Sequence, residues 1–319
     1  MQKKEKPENK KAKSRIKKQN SGHSILKFRI AMLVLSIFAL LINASAQQSE
    51  NKLLWKIEKE GQKGASYILG TNALVTYTFL DNIKTFRKAF DRCDVLISEV
   101  KYSHESLSDI SSLSVMKEKS LKQIFDSDEY VDVAAYFQIK TGLDFKKYHH
   151  IKPIAIYLML NAINNREQGV VFNQNSTGRG INQYLQEEAK RKKKKYLALE
   201  TVQSQIEMLF NSFSLERQAM LLLDLVRNEN DNNKHNKELL NCYLQQNLNC
   251  LSEMLFFSNF SPEESRKLIR ERNQEWIPQL VKVINMSNTF IAVGALHLPG
   301  EDGLLNLLLK QGFILTPMN

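Results

Sequence analysis

Two segments at opposite ends of the chain repeat one pattern, and that repetition constrains the fold more than any other feature. Ser66 to Leu69 reads as a strand, Gly70-Thr71-Asn72-Ala73 as a turn, Asp81 to Arg92 as a helix and Val95 to Val100 as a second strand. Thr289 to Val293, Gly294-Ala295-Leu296-His297, Asp302 to Lys310 and Phe313 to Thr316 repeat the same order. Short apolar runs bounded by glycine are strand signals, and apolar spacing near 3.6 marks the helices. Two such units are expected to share one sheet, with their glycine turns together at one edge, where they could build a common site.

Leu53 to Glu58 and Ser66 to Leu69 read as a hairpin closed across Gly61 and Gly64. The centre, about residues 105–285, is predominantly helical, with one short strand at Tyr196 to Leu199. Its best-signed helix starts at Ser261-Pro262-Glu263-Glu264, where serine caps, proline fits the first turn and the acidic pair meets the positive end of the dipole. It is expected to reach about Ile284, with a kink at Pro278. The fold class is therefore α+β: a central β-sheet from two pseudo-symmetric units at the chain ends, around a large helical middle section. No linker-like stretch interrupts residues 47–319, so a single domain is expected there.

The front of the chain reads as a secretory signal. A lysine-rich stretch from Met1 to Arg29 precedes an apolar run from Ile30 to Ile42, and Ala44-Ser45-Ala46 supplies the small residues of a cleavage site. As a helix, a run of that length reaches about 20 Å, short of the roughly 30 Å hydrocarbon core. Release after Ala46 into an extracytoplasmic space, periplasmic or secreted, is the expectation. The alternative is an uncleaved anchor that associates the protein with a membrane through its N-terminus. Residues 1–46 hold 11 of the 45 Lys and Arg but only 2 of the 34 Asp and Glu, so most of the +11 net charge belongs to this segment. Residues 47–319 are nearly neutral, which removes the main argument for a nucleic-acid partner. The cluster Lys190 to Lys195 reads as a solvated helix end.

Cys93 beside Val95-Leu96-Ile97 reads as a small buried hydrophobe. Cys242 and Cys250 can bridge in an oxidising compartment if a turn at Gln246 to Asn249 reverses the chain; within one continuous helix they cannot. His149 and His150 are sequence neighbours ahead of Pro153, do not share a helix face, and read as loop residues. No GxSxG, HExxH, CxxC or P-loop pattern occurs in the sequence.

Two positions are candidates for chemistry. His297 comes after a strand and Gly294, where a side chain is directed into a cleft. Arg272 lies in line with Leu268, Trp276 and Leu280 at four-residue steps, hence on the apolar face of its helix with Asn273 beside it. A buried arginine needs an acidic partner, and Glu99 or Glu200 would serve.

Leu53 to Ile57, Ser66 to Thr71 and Cys93 to Val100 resemble the opening of the TraB/GumN family, and Phe290 to Leu298 with Pro299-Gly300-Glu301 resembles its close. Gly180 to Leu185, Leu199-Glu200-Thr201 and Glu271-Arg272-Asn273 with Trp276 fall between them in the family's order. The resemblance covers essentially all of residues 51–319.

It implies an α+β fold with two GxxH turns and, from the Tiki relatives, a metal-dependent peptidase activity. Two histidines and a carboxylate would hold a divalent metal that lowers the pKa of bound water. Glu99 matches the family's glutamate, as ligand or general base. The Arg272 guanidinium could stabilise charge on a carbonyl or phosphoryl oxygen, with Asn273 and Glu200 beside it. The metal set is then His297, Glu99 and an oxygen of Asn72 or Thr71, because Ala73 stands where the first histidine is expected. Asn182 likewise replaces the aspartate of a Gly-hydrophobic-Asp motif. Two readings result: a degenerate, weakly active or non-catalytic protein that binds a peptide or small-molecule ligand, or an active metal-dependent hydrolase with a substitute ligand. Neither the substrate nor the oligomeric state is legible.

Overall fold

Three of the expected strands are apolar on both faces, and such strands have to lie inside a sheet with helices on both sides. β2 (Ser66–Thr71), β3 (Val95–Val100) and β5 (Thr289–Gly294) are buried along almost their whole lengths. They form the centre of a six-stranded sheet ordered β4-β3-β5-β2-β1-β6, completed by β1 (Leu54–Glu58), β4 (Lys195–Glu200) and β6 (Ile314–Met318). The structure is a computed structural model describing residues 52–101, 112–167, 179–256 and 260–319. The signal and cleavage site expected in residues 1–46 lie outside the described residues.

The fold is α+β, and the two end units meet as the repeat requires. β2 and β5 run side by side and parallel, pairing Gly70 with Val293 and Thr71 with Gly294, so both glycine turns leave the same end of the sheet. Each unit then crosses to a further strand in the opposite direction, β2 to β3 beyond β5 and β5 to β6 beyond β1. The departure from symmetry is β1, an antiparallel strand between β2 and β6. Gly70 is required by close approach: a Cβ there would sit 2.9 Å from Leu298 Cδ1 and 3.0 Å from Ala295, both in the turn after β5.

The helix read over Asp81 to Arg92 is shorter than expected. A 3-10 turn occupies Tyr77–Asn82, Ile83 turns inward at 2% exposure, and α1 spans only Phe86–Asp91. The reason is a long-range contact, since the Thr85 N–H donates to the carbonyl of Asn319 at 2.8 Å. The corresponding helix of the second unit starts later than Asp302, at Leu304, and ends at Lys310.

In the middle section, helices Ser127–Thr141 (α2), Pro153–Glu167 (α3) and Leu215–Arg227 pack around Val133, Phe137, Leu160 and Leu222. Ile181–Arg191 (α4) and Val202–Asn211 (α5) flank β4 in the chain. The helix opened by Ser261 has the expected reciprocal cap with Glu264. Its irregularity lies upstream of Pro278: Arg266–Glu271 is a π turn, and a regular helix (α6) then runs through Pro278 from Arg272 to Ile284. Among the described residues no helix is long and apolar enough to cross a membrane.

Cys242 and Cys250 are bonded, and the chain reverses between them at Gln246, whose φ is +57°. Cys93 is buried, and burial pushes its thiol up to about 12. His149 and His150 lie in a turn, and Lys190 to Lys195 spans the end of α4 and the start of β4, both as expected. The bridge closes a short loop, so its loss is expected to cost about 2.5 kcal/mol by loop entropy. Urea denaturation of Cys242→Ser/Cys250→Ser and of the reduced wild type should show the same loss; an unchanged midpoint on reduction would remove this role.

Candidate functional site

The polar groups at the turn end of the sheet are organised around one guanidinium. Arg272, the first residue of α6, points back to the strand ends because the apolar stripe of its helix, Trp276 and Leu280, is wholly buried against them. Its Nε and Nη2 donate to Glu200 at 2.9 and 3.2 Å, and Nη2 also donates to Glu99 Oε2 at 2.9 Å. Nη1 donates to the Leu268 carbonyl at 3.2 Å and contacts His297 Nε2 at 3.1 Å. The Leu268 carbonyl lies in the π turn, a distortion common at functional sites. Both carboxylates expected as alternative partners of Arg272 are therefore partners at once. All three side chains are 12–18% exposed, and at that burial an ion left without its partner is costly.

Glu200 ends β4, and its Oε1 also accepts the Trp276 indole N–H at 2.8 Å. The Trp276 ring lies 4.6 Å from the guanidinium and 4.5 Å from the His297 ring. Glu99, near the end of β3, accepts the Gly294 N–H at 2.5 Å on Oε1 and the Gln205 amide at 3.1 Å on Oε2. Gly294 stands between two of these groups, since a Cβ there would lie 3.1 Å from Glu99 Oε1 and 3.5 Å from His297 Cδ2.

Asn273 fixes the second turn. Its Nδ2 donates to the carbonyls of His297 and Asp302 at 3.1 and 2.8 Å, which leaves Oδ1 facing His297 Nδ1 at 2.7 Å. The network thereby assigns the tautomer: Nδ1 carries the proton and donates to Asn273, and Nε2 accepts from Arg272, which has only donors. The imidazole is 3% exposed. Burial first, and then the charge of Arg272, hold its pKa well below the usual histidine value.

The structure thus brings Glu99, Glu200, Arg272, Asn273 and His297 together. Asn72 Oδ1 accepts the Leu74 N–H at 2.8 Å, a local turn bond within the first glycine turn. The remaining members of the expected metal set do not fit a divalent ion as they stand. Both imidazole nitrogens and both Glu99 oxygens are engaged, and Nε2 faces a cation. Among the described residues no three His, Cys, Asp or Glu side chains are placed to share one ion.

Beside the cluster lies a cavity of about 160 Å³, walled by Thr71, Ala73, Ser98, Glu99, Asn182 and Gln205. Ala73 and Asn182, the two positions at which the resemblance implies other residues, are both in this wall. Asn182 Oδ1 is shut off from solvent and accepts no hydrogen bond. Gln205 is a site residue that periodicity and motif do not reveal. The one available signal is that Thr201 caps α5 directly after β4, which carries the helix's first turn over the strand ends.

The TraB/PrgY/gumN family model matches residues 53–317. No curated protein and no solved structure matches the chain.

Proposed function

Because the chain belongs to the TraB/PrgY/gumN family, we propose that it is an exported member whose hydrolase-like site binds a peptide or small-molecule ligand without metal-dependent turnover. The observation that carries this reading is the Arg272 guanidinium, which lies against His297 Nε2, Glu99 and Glu200. A metal ligand has to present a lone pair to the ion, and here the one lone pair of His297 Nε2 faces the Arg272 guanidinium, which also donates hydrogen bonds to Glu99 and Glu200. Ala73 adds to this, since alanine cannot ligate. The basic leader, the apolar run and Ala44-Ser45-Ala46 support export, as does a bridge between Cys242 and Cys250, which persists in an oxidising compartment. The protein is released after Ala46 or stays tethered by the same segment.

Metal analysis of the purified protein by mass spectrometry tests the reading, beside His297→Ala. Far less than one equivalent of metal is expected in both, with no cleavage of a peptide library. One equivalent in the wild type, lost in His297→Ala, would replace this reading with that of an active metal-dependent hydrolase.

A further inference from the structure

We propose that the sheet end opposite the glycine turns docks on a bilayer surface bearing anionic phospholipid headgroups, held by a row of lysines and arginines with the Met286 side chain entering among the lipids. The proposal is independent of the chemistry at Arg272.

The sheet itself gathers the row. β2, β3, β4 and β5 are parallel and start level, with Tyr67 beside Phe290 and Val95 beside both Thr289 and Lys195, and β6 starts at the end of β1, Ile314 against Glu58. The segments that enter these strands, 59–65, 91–94, 190–195, 285–288 and 310–313, therefore lie at one end of the sheet. They spread over six strands, or about 24 Å. Together they hold ten Lys and Arg against three Asp and Glu, although residues 47–319 as a whole are nearly neutral, so the remainder of that span is net negative. Charge is thus segregated to this end. Arg191 and Lys192 are paired with Glu188 and Asp91. Lys63, Arg92, Lys190, Lys193, Lys195 and Lys310 are exposed and make no ion pair among the described residues. Lys193 stands at φ +55°, left-handed backbone at the end of α4 where glycine would be least strained, so a cation is kept there at a conformational cost.

Apolar side chains decide the kind of partner. Met286, between the segments that enter β3 and β2, is 75% exposed in the middle of the row. Leu309 and Ile314, 51% and 57% exposed, flank Lys310. Cations around protruding apolar groups match a surface that is anionic at its face and apolar just beneath: the headgroups attract the lysines and the acyl boundary takes the apolar side chains. A single-stranded nucleic acid would call for exposed rings on which bases stack, and the one aromatic ring of these segments, Phe313, is 3% exposed. Docked in this way, the protein keeps the cavity beside Arg272, at the other end of the sheet, turned towards solution.

Residues 51–319 form a compact unit that carries the whole sheet, so the form beginning at Gln47, free of the lysine-rich leader, is the one to test. It is sedimented with vesicles of phosphatidylcholine alone and of equal parts phosphatidylcholine and phosphatidylglycerol. Binding to the mixed vesicles is expected, at least ~10-fold tighter than to phosphatidylcholine and lost at high salt. Lys190→Gln/Lys193→Gln/Lys195→Gln should weaken it at least ~30-fold, since each lysine near an anionic surface contributes roughly fivefold. Met286→Ser should weaken it about 5-fold, by the apolar contact it removes. Lys117→Gln/Lys146→Gln/Lys147→Gln, the same charge change in the helical middle section, should stay within about 2-fold of wild type. Each variant is checked for an unchanged circular dichroism spectrum and melting curve. Equal binding to both vesicle types, no binding to either, or an equal loss in the two triple variants would overturn the proposal. Undiminished binding of Met286→Ser, with heparin or a short single-stranded DNA displacing the wild type from the vesicles, would overturn it in favour of a soluble polyanion.

Discussion

Arg272→Ala is expected to destabilise the protein by about 3–5 kcal/mol, the cost of removing one partner from a buried charge network. The loss comes less from the bonds that disappear than from what is left behind. Glu99 and Glu200, 18% and 12% exposed, would face each other across a gap with no cation between them, and Leu268 O and His297 Nε2 would lose a donor. Chemical denaturation should show a lowered midpoint with an unchanged slope. Arg272→Lys keeps the charge but not the planar fork that serves two carboxylates, a carbonyl and an imidazole together, so a loss of about 1–3 kcal/mol is expected. Adding Glu99→Gln and Glu200→Gln to Arg272→Ala should restore part of the stability, because the stranded charges are then gone. A loss below about 1 kcal/mol in Arg272→Ala would mean that water already screens the network, and the site would have to be treated as a surface cluster.

The position of Arg272 is legible in the sequence because helical spacing is a strong signal. Four-residue steps from Leu268 to Leu280 put it on a buried face, and a buried guanidinium demands carboxylates. Periodicity does not say that Glu99 and Glu200 act together, since that depends on β3 and β4 ending side by side, a pairing found only in the sheet. The adjacency of the two glycine turns is legible from the repeated unit, and Gly70 shows why: β5's turn packs where its side chain would be. Elements decided by distant contacts are not. Asp81 to Arg92 has a helical pattern, yet the Asn319 carbonyl takes the Thr85 N–H and the buried Ile83 breaks the helix. The π turn at Arg266–Glu271 leaves no mark in the sequence because a one-residue shift in backbone pairing changes no residue type. The local chemistry of Asn72, a bond from the amide two residues on, is of the kind asparagine commonly makes in turns.

Acidification below pH 6.5 is expected to lower stability through His297, with a slope approaching about 1.36 kcal/mol per pH unit while the pH lies between the unfolded and the folded pKa. The sign comes from the direction of its shift. The folded imidazole has its pKa depressed well below 6.5, by burial first and then by Arg272. The unfolded imidazole titrates near 6.5, so below that pH the unfolded chain binds one proton more than the folded one. Stability from this residue is thus fully present above pH 6.5 and declines as the pH falls towards the folded pKa. His297→Gln should abolish that component, leaving a flatter profile between about pH 6.5 and 5, above the main titration of carboxylates. His235, half-buried and also lowered by desolvation, adds a smaller component of the same sign, which His235→Gln isolates. Urea midpoints in half-unit steps of pH are enough to resolve the two. If the profile of His297→Gln parallels that of the wild type, the imidazole titrates alike in the folded and unfolded chains. It would then be accessible to protons in the folded protein, and Nε2 would not be held against Arg272. That result would also reopen His297 Nε2 to a metal, because the lone pair that the guanidinium now occupies would be free to coordinate.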